Sequence, residues 1–88
     1  MFKMLIQLDV DKIQEDDIYD YNKIESYLEQ KFIQHGIHKD ETGFYVGGTF
    51  ADFGSMILGL SKSEWFMKYV KVWKWYNSDG QMDPNDFV

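Results

Sequence analysis

Histidine is the one side chain whose unperturbed charge changes near neutrality, and the chain carries two, His35 and His38, on either side of Gly36-Ile37 with Asp40 and Glu41 just downstream. Such residues could serve as an acid–base pair or as metal ligands. Their spacing does not favour either use. A His-Glu-x-x-His helix holds two imidazoles on one face, whereas these two straddle the end of a predicted helix and no third ligand follows from spacing. They are therefore expected to be surface histidines near a helix C-terminus, where the helix dipole favours partial positive charge.

The acids are the next candidates. Asp9, Asp11, Glu15, Asp16 and Asp17 could offer oxygens to calcium, but an EF-hand loop needs alternating acids, a glycine at position six and a glutamate at position twelve. Here Asp9-Val10-Asp11 runs on to Ile13 and Gln14 with no glycine. Asp79, Asp83 and Asp86 sit among turn formers without a loop register either. Both clusters read as solvated or partner-facing carboxylates. Gly43, Gly47 and Gly48 lie within an apparent strand, with no Gly-Lys-Ser/Thr sequence to cradle a phosphate. Ser55, Ser61 and Ser63 have no nucleophile elbow around them, and the absence of cysteine removes thiolate chemistry and disulfides together. Two of the fifteen acids meeting in space would suffice for carboxylate-pair catalysis, yet no spacing selects a pair. The sequence thus predicts no catalytic residue, no cofactor and no metal ligand.

The elements that would carry these groups follow from periodicity. Phe2, Met4, Ile6, Leu8 and Val10 alternate with Lys3, Gln7 and Asp9, which predicts a strand over 2–10. Residues 11–20 are rich in acid and predict a solvated loop. Asp20 is a candidate N-cap, Ile24, Tyr27, Leu28 and Phe32 recur at helical spacing, and Gly36 can close the helix, so a helix is expected over 21–35. Residues 42–50 and 54–60 read as a hairpin of two strands, with the glycines marking a bulge or a close backbone approach. Ser61-Lys62-Ser63-Glu64 matches a capping box and opens a predicted amphipathic helix over 62–77. An alternative parse stops that helix near Tyr69 and makes 70–76 a fourth strand.

The expected fold is α+β: one small two-layer sandwich, β-α-β-β-α, with two helices on one face of a sheet. The alternative is the ferredoxin-like β-α-β-β-α-β. The domain is expected over 1–77, with an acidic, loosely held tail over 78–88. On the helical wheel for 62–77, Trp65, Phe66, Tyr69 and Trp73 face the core. Trp75 falls on the polar side near Lys68 and Lys71, a candidate contact anchor beside an exposed Met67.

A net charge of −6 disfavours a phosphate-binding surface, and 18% aromatic residues supply material for a core that a disordered acidic tail would lack. No apolar stretch approaches the ~20 residues of a membrane span, and the N-terminus lacks a signal-peptide core; a cytoplasmic location is expected. The predicted function is a small acidic, non-enzymatic interaction module whose partner has a basic surface. Its contact residues are Asp9, Asp11, Glu15, Asp16, Asp17, Asp20, Asp79, Asp83 and Asp86, with Trp75 and Met67. One form of this reading is an inhibitor that occupies a partner's nucleic-acid-binding site; small acidic anti-defence proteins of phages and mobile elements, anti-CRISPR proteins among them, are similar in size and charge. The alternatives are a small-molecule or metal-binding domain or small enzyme with its pocket between sheet and helices, and a homodimer.

Overall fold

The structure is a computed structural model that describes residues 2–77, 80–82 and 84. The elements in chain order are β1 (Lys3–Leu8), α1 (Val10–Asp16), α2 (Tyr21–Ile33), β2 (His38–Lys39), β3 (Tyr45–Val46), α3 (Phe50–Ser61), α4 (Glu64–Tyr69), β4 (Val70–Asn77) and β5 (Gly80–Met82). The strands form one antiparallel sheet in the order β2-β3-β1-β4-β5. Alternation along β1 buries Met4, Ile6 and Leu8 and leaves Lys3 and Gln7 in solvent, so one sheet face is covered and the other open. All four helices contribute to the single buried cluster on the covered face, through Ile13, Leu28, Ile57 and Phe66 among others. The result is an α+β two-layer sandwich.

The alternative parse of the C-terminal half is the one observed. α4 ends at Tyr69, and Val70–Asn77 is a strand paired with β1 from Lys3↔Tyr76 to Leu8↔Val70. The predicted helix over 62–77 fails because its aromatic and β-branched residues pack better on a pleated surface. The apparent break in alternation is a bulge: the register shifts between Gln7 and Leu8, which pair with Val72 and Val70 and leave Lys71 as the extra residue. Beyond it, Trp73 and Trp75 stand opposite Ile6 and Met4 on the covered face. With α1 and α4 as short flanking helices and β5 added at the end, the order is β-α-β-β-α-β, the ferredoxin-like arrangement.

Three further expectations are corrected. The stretch 54–60 is helix, within α3. Thr49 and Asp52 form a capping box in which Asp52 N–H donates to Thr49 Oγ1 at 3.2 Å and Thr49 N–H donates to Asp52 Oδ2 at 2.9 Å. Phe53, Met56, Ile57 and Leu60 then bury one helical face. The acidic loop is also partly helical: Asp9 Oδ1 accepts from Lys12 N–H at 3.1 Å, Ile13 is buried, and α1 runs until Asp17 turns left-handed at φ 51°. The capping box expected at Ser61–Glu64 is not formed. Ser61 Oγ donates to the Leu58 carbonyl, and Ser63 precedes α4 without a side-chain cap.

α2 matches expectation closely. Asp20 Oδ1 accepts from Asn22 and Lys23 N–H groups, and Ile37 N–H returns to the Phe32 carbonyl across Gly36, whose φ is 75°. The expected close backbone approach is found at Gly47, where a Cβ would lie 3.2 Å from the Gly36 carbonyl oxygen; at Gly48 a Cβ would instead meet a side chain, 2.5 Å from Ile37 Cγ1. Within the predicted tail, Gly80–Met82 forms β5 on β4 and Pro84 is buried; residues 78, 79, 83 and 85–88 lie outside the described residues.

Candidate functional site

An open cleft of about 630 Å³ lies among the α1–α2 connection, α2 and the start of α4, lined by Ile18, Tyr19, Asp20, Lys23, Ile24, Tyr27 and Trp65. Why the lining is aromatic follows from the local folding. The 17–20 connection is bounded by the left-handed Asp17 at the end of α1 and the Asp20 cap of α2, which leaves Ile18 65% and Tyr19 45% exposed. Tyr27 lies one residue before the buried Leu28 on α2 and is itself 49% exposed. Trp65, at the second residue of α4, is half-buried. Its ring meets Tyr27 at 5.8 Å and 73°, Tyr19 at 6.5 Å and 44°, and the buried Phe66 at 6.0 Å and 85°. The indole is thereby braced from the core side by Phe66.

Carboxylates border this cleft in two adjoining hollows, one of which is also lined by Lys68, the partner of Asp16. Asp17 joins Ile18, Tyr19 and Asp20 in an adjoining hollow, and Glu64 joins Ile18, Tyr19 and Trp65 in another. Among the described residues, neither Asp17 nor Glu64 has a side-chain hydrogen bond or ion pair. Asp11 and Glu15, exposed on α1, are likewise unpaired among the described residues.

Other predicted acids have structural work. Asp9 caps α1, and Asp20 caps α2 through Oδ1 while lining the cleft. Asp16 Oδ2 accepts from Tyr69 Oη at 2.8 Å and Lys68 Nζ at 2.9 Å. The hydrogen bond from Lys68, then that from Tyr69, holds the Asp16 carboxyl below its ordinary value. Asp79, Asp83 and Asp86 lie outside the described residues.

Trp75 is not a contact anchor. It is fully buried on β4, its ring 5.3 Å from Phe50, 6.0 Å from Phe2 and 6.1 Å from Phe53. The helical wheel put it on a polar side that does not exist, because the residue belongs to a strand. Met67 is exposed on α4, as expected, but does not line the cleft. The residues that sequence reasoning missed are Ile18, Tyr19 and Tyr27, with Trp65 assigned wholly to the core. The signal available was Ile18-Tyr19, an apolar pair inside a run of acids that no helical or strand period requires to be buried.

Among the described residues, the histidines do not join a group of three or more ligands. His35 follows α2 and is half-buried, while His38 is exposed on β2 against Gly47. The nearby Asp40 carboxylate instead accepts from the Thr42 hydroxyl and N–H and from Phe44 N–H, contacts that lower its pKa, the Thr42 side chain first. Among the described residues, no group of three or more His, Cys, Asp or Glu side chains is placed to hold a metal ion, and no helix is long and apolar enough to cross a membrane.

Among the described residues, charge is uneven between the sheet and the helices. Lys71 and Lys74 are on β4 and do not share a helix with Lys68, and the five strands contain Lys3, Lys39, Lys71 and Lys74 but no carboxylate. Lys3 and Lys74 stand on the open sheet face, away from the helical layer that holds the acids around the cleft. Comparison with protein-family models and with curated proteins finds no match to this chain.

Proposed function

We propose that the protein is a small, non-enzymatic interaction module that docks the basic surface of another protein against the side formed by the 17–20 connection, α2 and α4. The observation that carries this reading is the juxtaposition of Ile18 and Tyr19, 65% and 45% exposed, with Asp17 and Glu64 on either side. Exposed apolar groups rimmed by polar ones are the usual form of a protein contact. Unpaired carboxylates around such a patch favour a partner of opposite sign and steer its approach. A partner whose basic surface otherwise holds nucleic acid fits this chemistry, because the carboxylates would compete with phosphates for the same cations.

Replacing Ile18 with a photoreactive residue and irradiating cells that express the full chain tests the proposal. The expected product is one discrete adduct with a basic protein. Once purified, that protein should bind the wild-type chain with an affinity that falls on adding salt and falls again in the triple variant Asp17→Asn, Asp20→Asn, Glu64→Gln. A partner bound equally well by the triple variant would overturn the reading.

A further inference from the structure

The contact anchor on the partner can be assigned a chemistry, and this inference rests on the docking surface proposed above. We infer that the cleft seats an arginine side chain of the partner on the Trp65 ring, between Tyr19 and Tyr27. Three aromatic residues from three separate elements line one open space, and Trp65 touches the other two. Tryptophan is the strongest aromatic acceptor of a cation, and guanidinium is both flat and weakly hydrated. One ring of the cleft already carries a cation, Lys31 at 5.4 Å from the Tyr27 centroid, and Lys68 lies 5.3 Å from the Tyr69 ring. Among the described residues, no cation lies over Trp65 or Tyr19.

Asp20 gives the seat its charge. Its Oδ1 is held by the α2 cap, and Oδ2 has no partner among the described residues, so a fixed carboxylate lines the space with one oxygen still able to accept. The cleft of about 630 Å³ exceeds what one guanidinium fills; the arginine stem and a neighbouring apolar side chain share it with Ile18 and Ile24. Lys23 is the one cation in the lining. It opposes a cationic guest, which gives the inference a sign that a generic apolar groove would not have.

The experiment is a titration of the full ¹⁵N-labelled chain with N-acetyl-Leu-Arg-Leu-amide at up to millimolar concentration, read at the Trp65 indole N–H and, for every protein including Trp65→Leu, at the backbone amides of Tyr19 and Tyr27. The same peptides with norleucine or glutamate in the central position are the controls. The arginine peptide should bind about fivefold or more tightly than the norleucine peptide. Lys23→Gln should tighten the arginine peptide, and Asp20→Asn, which keeps a cap, should weaken it. Trp65→Leu should abolish the preference, and Tyr27→Leu, at an exposed position that tolerates change, should reduce it. Equal binding of the arginine and norleucine peptides, or no effect of Lys23→Gln, overturns the arginine seat and leaves apolar docking standing. A preference for the glutamate peptide, or no shift of Trp65 with any peptide, overturns both.

Discussion

The Tyr69 hydroxyl donates a 2.8 Å hydrogen bond to Asp16 Oδ2, tying the last residue of α4 to the last residue of α1. Lys68 Nζ reaches the same oxygen at 2.9 Å, and the Tyr69 ring meets Tyr19 edge-on at 5.9 Å. One carboxylate therefore anchors the connection that carries Ile18 and Tyr19 into the cleft. Because its folded pKa is lowered, first by Lys68 and then by Tyr69, its contribution to stability is complete above the unfolded value of 3.8 and is lost as pH falls through the lowered folded value. Asp16→Asn should melt below wild type at neutral pH, and the gap should close in acid below the carboxylate range. Thermal melts of both proteins across that range check the sign.

Trp75 and Met67 make an opposed pair. Truncating fully buried Trp75 to alanine removes a ring packed on Phe2, Phe50 and Phe53 and should cost about 3–5 kcal/mol. Met67→Ala, at a residue 40% exposed, should change stability by less than about 0.5 kcal/mol. Urea denaturation of the two variants measures the contrast.

At Gly48 the constraint is space. A Cβ would meet Ile37 Cγ1 at 2.5 Å, and Ile37 is fully buried, so its side chain has little room to withdraw. Gly48→Ala should destabilise the fold by about 1–3 kcal/mol, seen as a lower denaturation midpoint at unchanged slope.

The capping box of α3 can be tested without touching the core. Thr49→Ala removes the acceptor of the Asp52 N–H bond and should cost about 1 kcal/mol, whereas Thr49→Ser should retain most of it. Equilibrium unfolding of both variants distinguishes loss of the hydroxyl from loss of the methyl.

Local signals with a single meaning were legible from the residues alone. β1 followed from its alternation, and α2 from Asp20, its apolar period and Gly36. α3 was misread because Phe44–Phe50 is β-rich and continues into glycines and apolar residues. The cue that decides it, Thr49 three residues before Asp52, is weaker than the Ser61–Glu64 pair that forms no box. β4 was obscured by a bulge: one extra residue, Lys71, displaces the period, so Val72 and Trp73 look like neighbours on a helix face when they point to opposite sides of a sheet. For the site, charge was visible in the sequence but pairing was not. Which acids cap helices, which one binds Lys68 and which remain unpaired depends on contacts as distant as Asp16 and Tyr69. The apolar pair Ile18-Tyr19 inside a run of acids was visible in the sequence, but its place beside Trp65 was not.

The most direct test of the account is the association rate of the chain with the protein trapped from position 18, measured over a range of ionic strength. Wild type should associate more slowly as salt rises, and the Asp17→Asn, Asp20→Asn, Glu64→Gln variant should start slower and show a much flatter dependence. Identical salt dependence in the two proteins would contradict it, because the carboxylates around Ile18 and Tyr19 would then have no part in bringing the partner in.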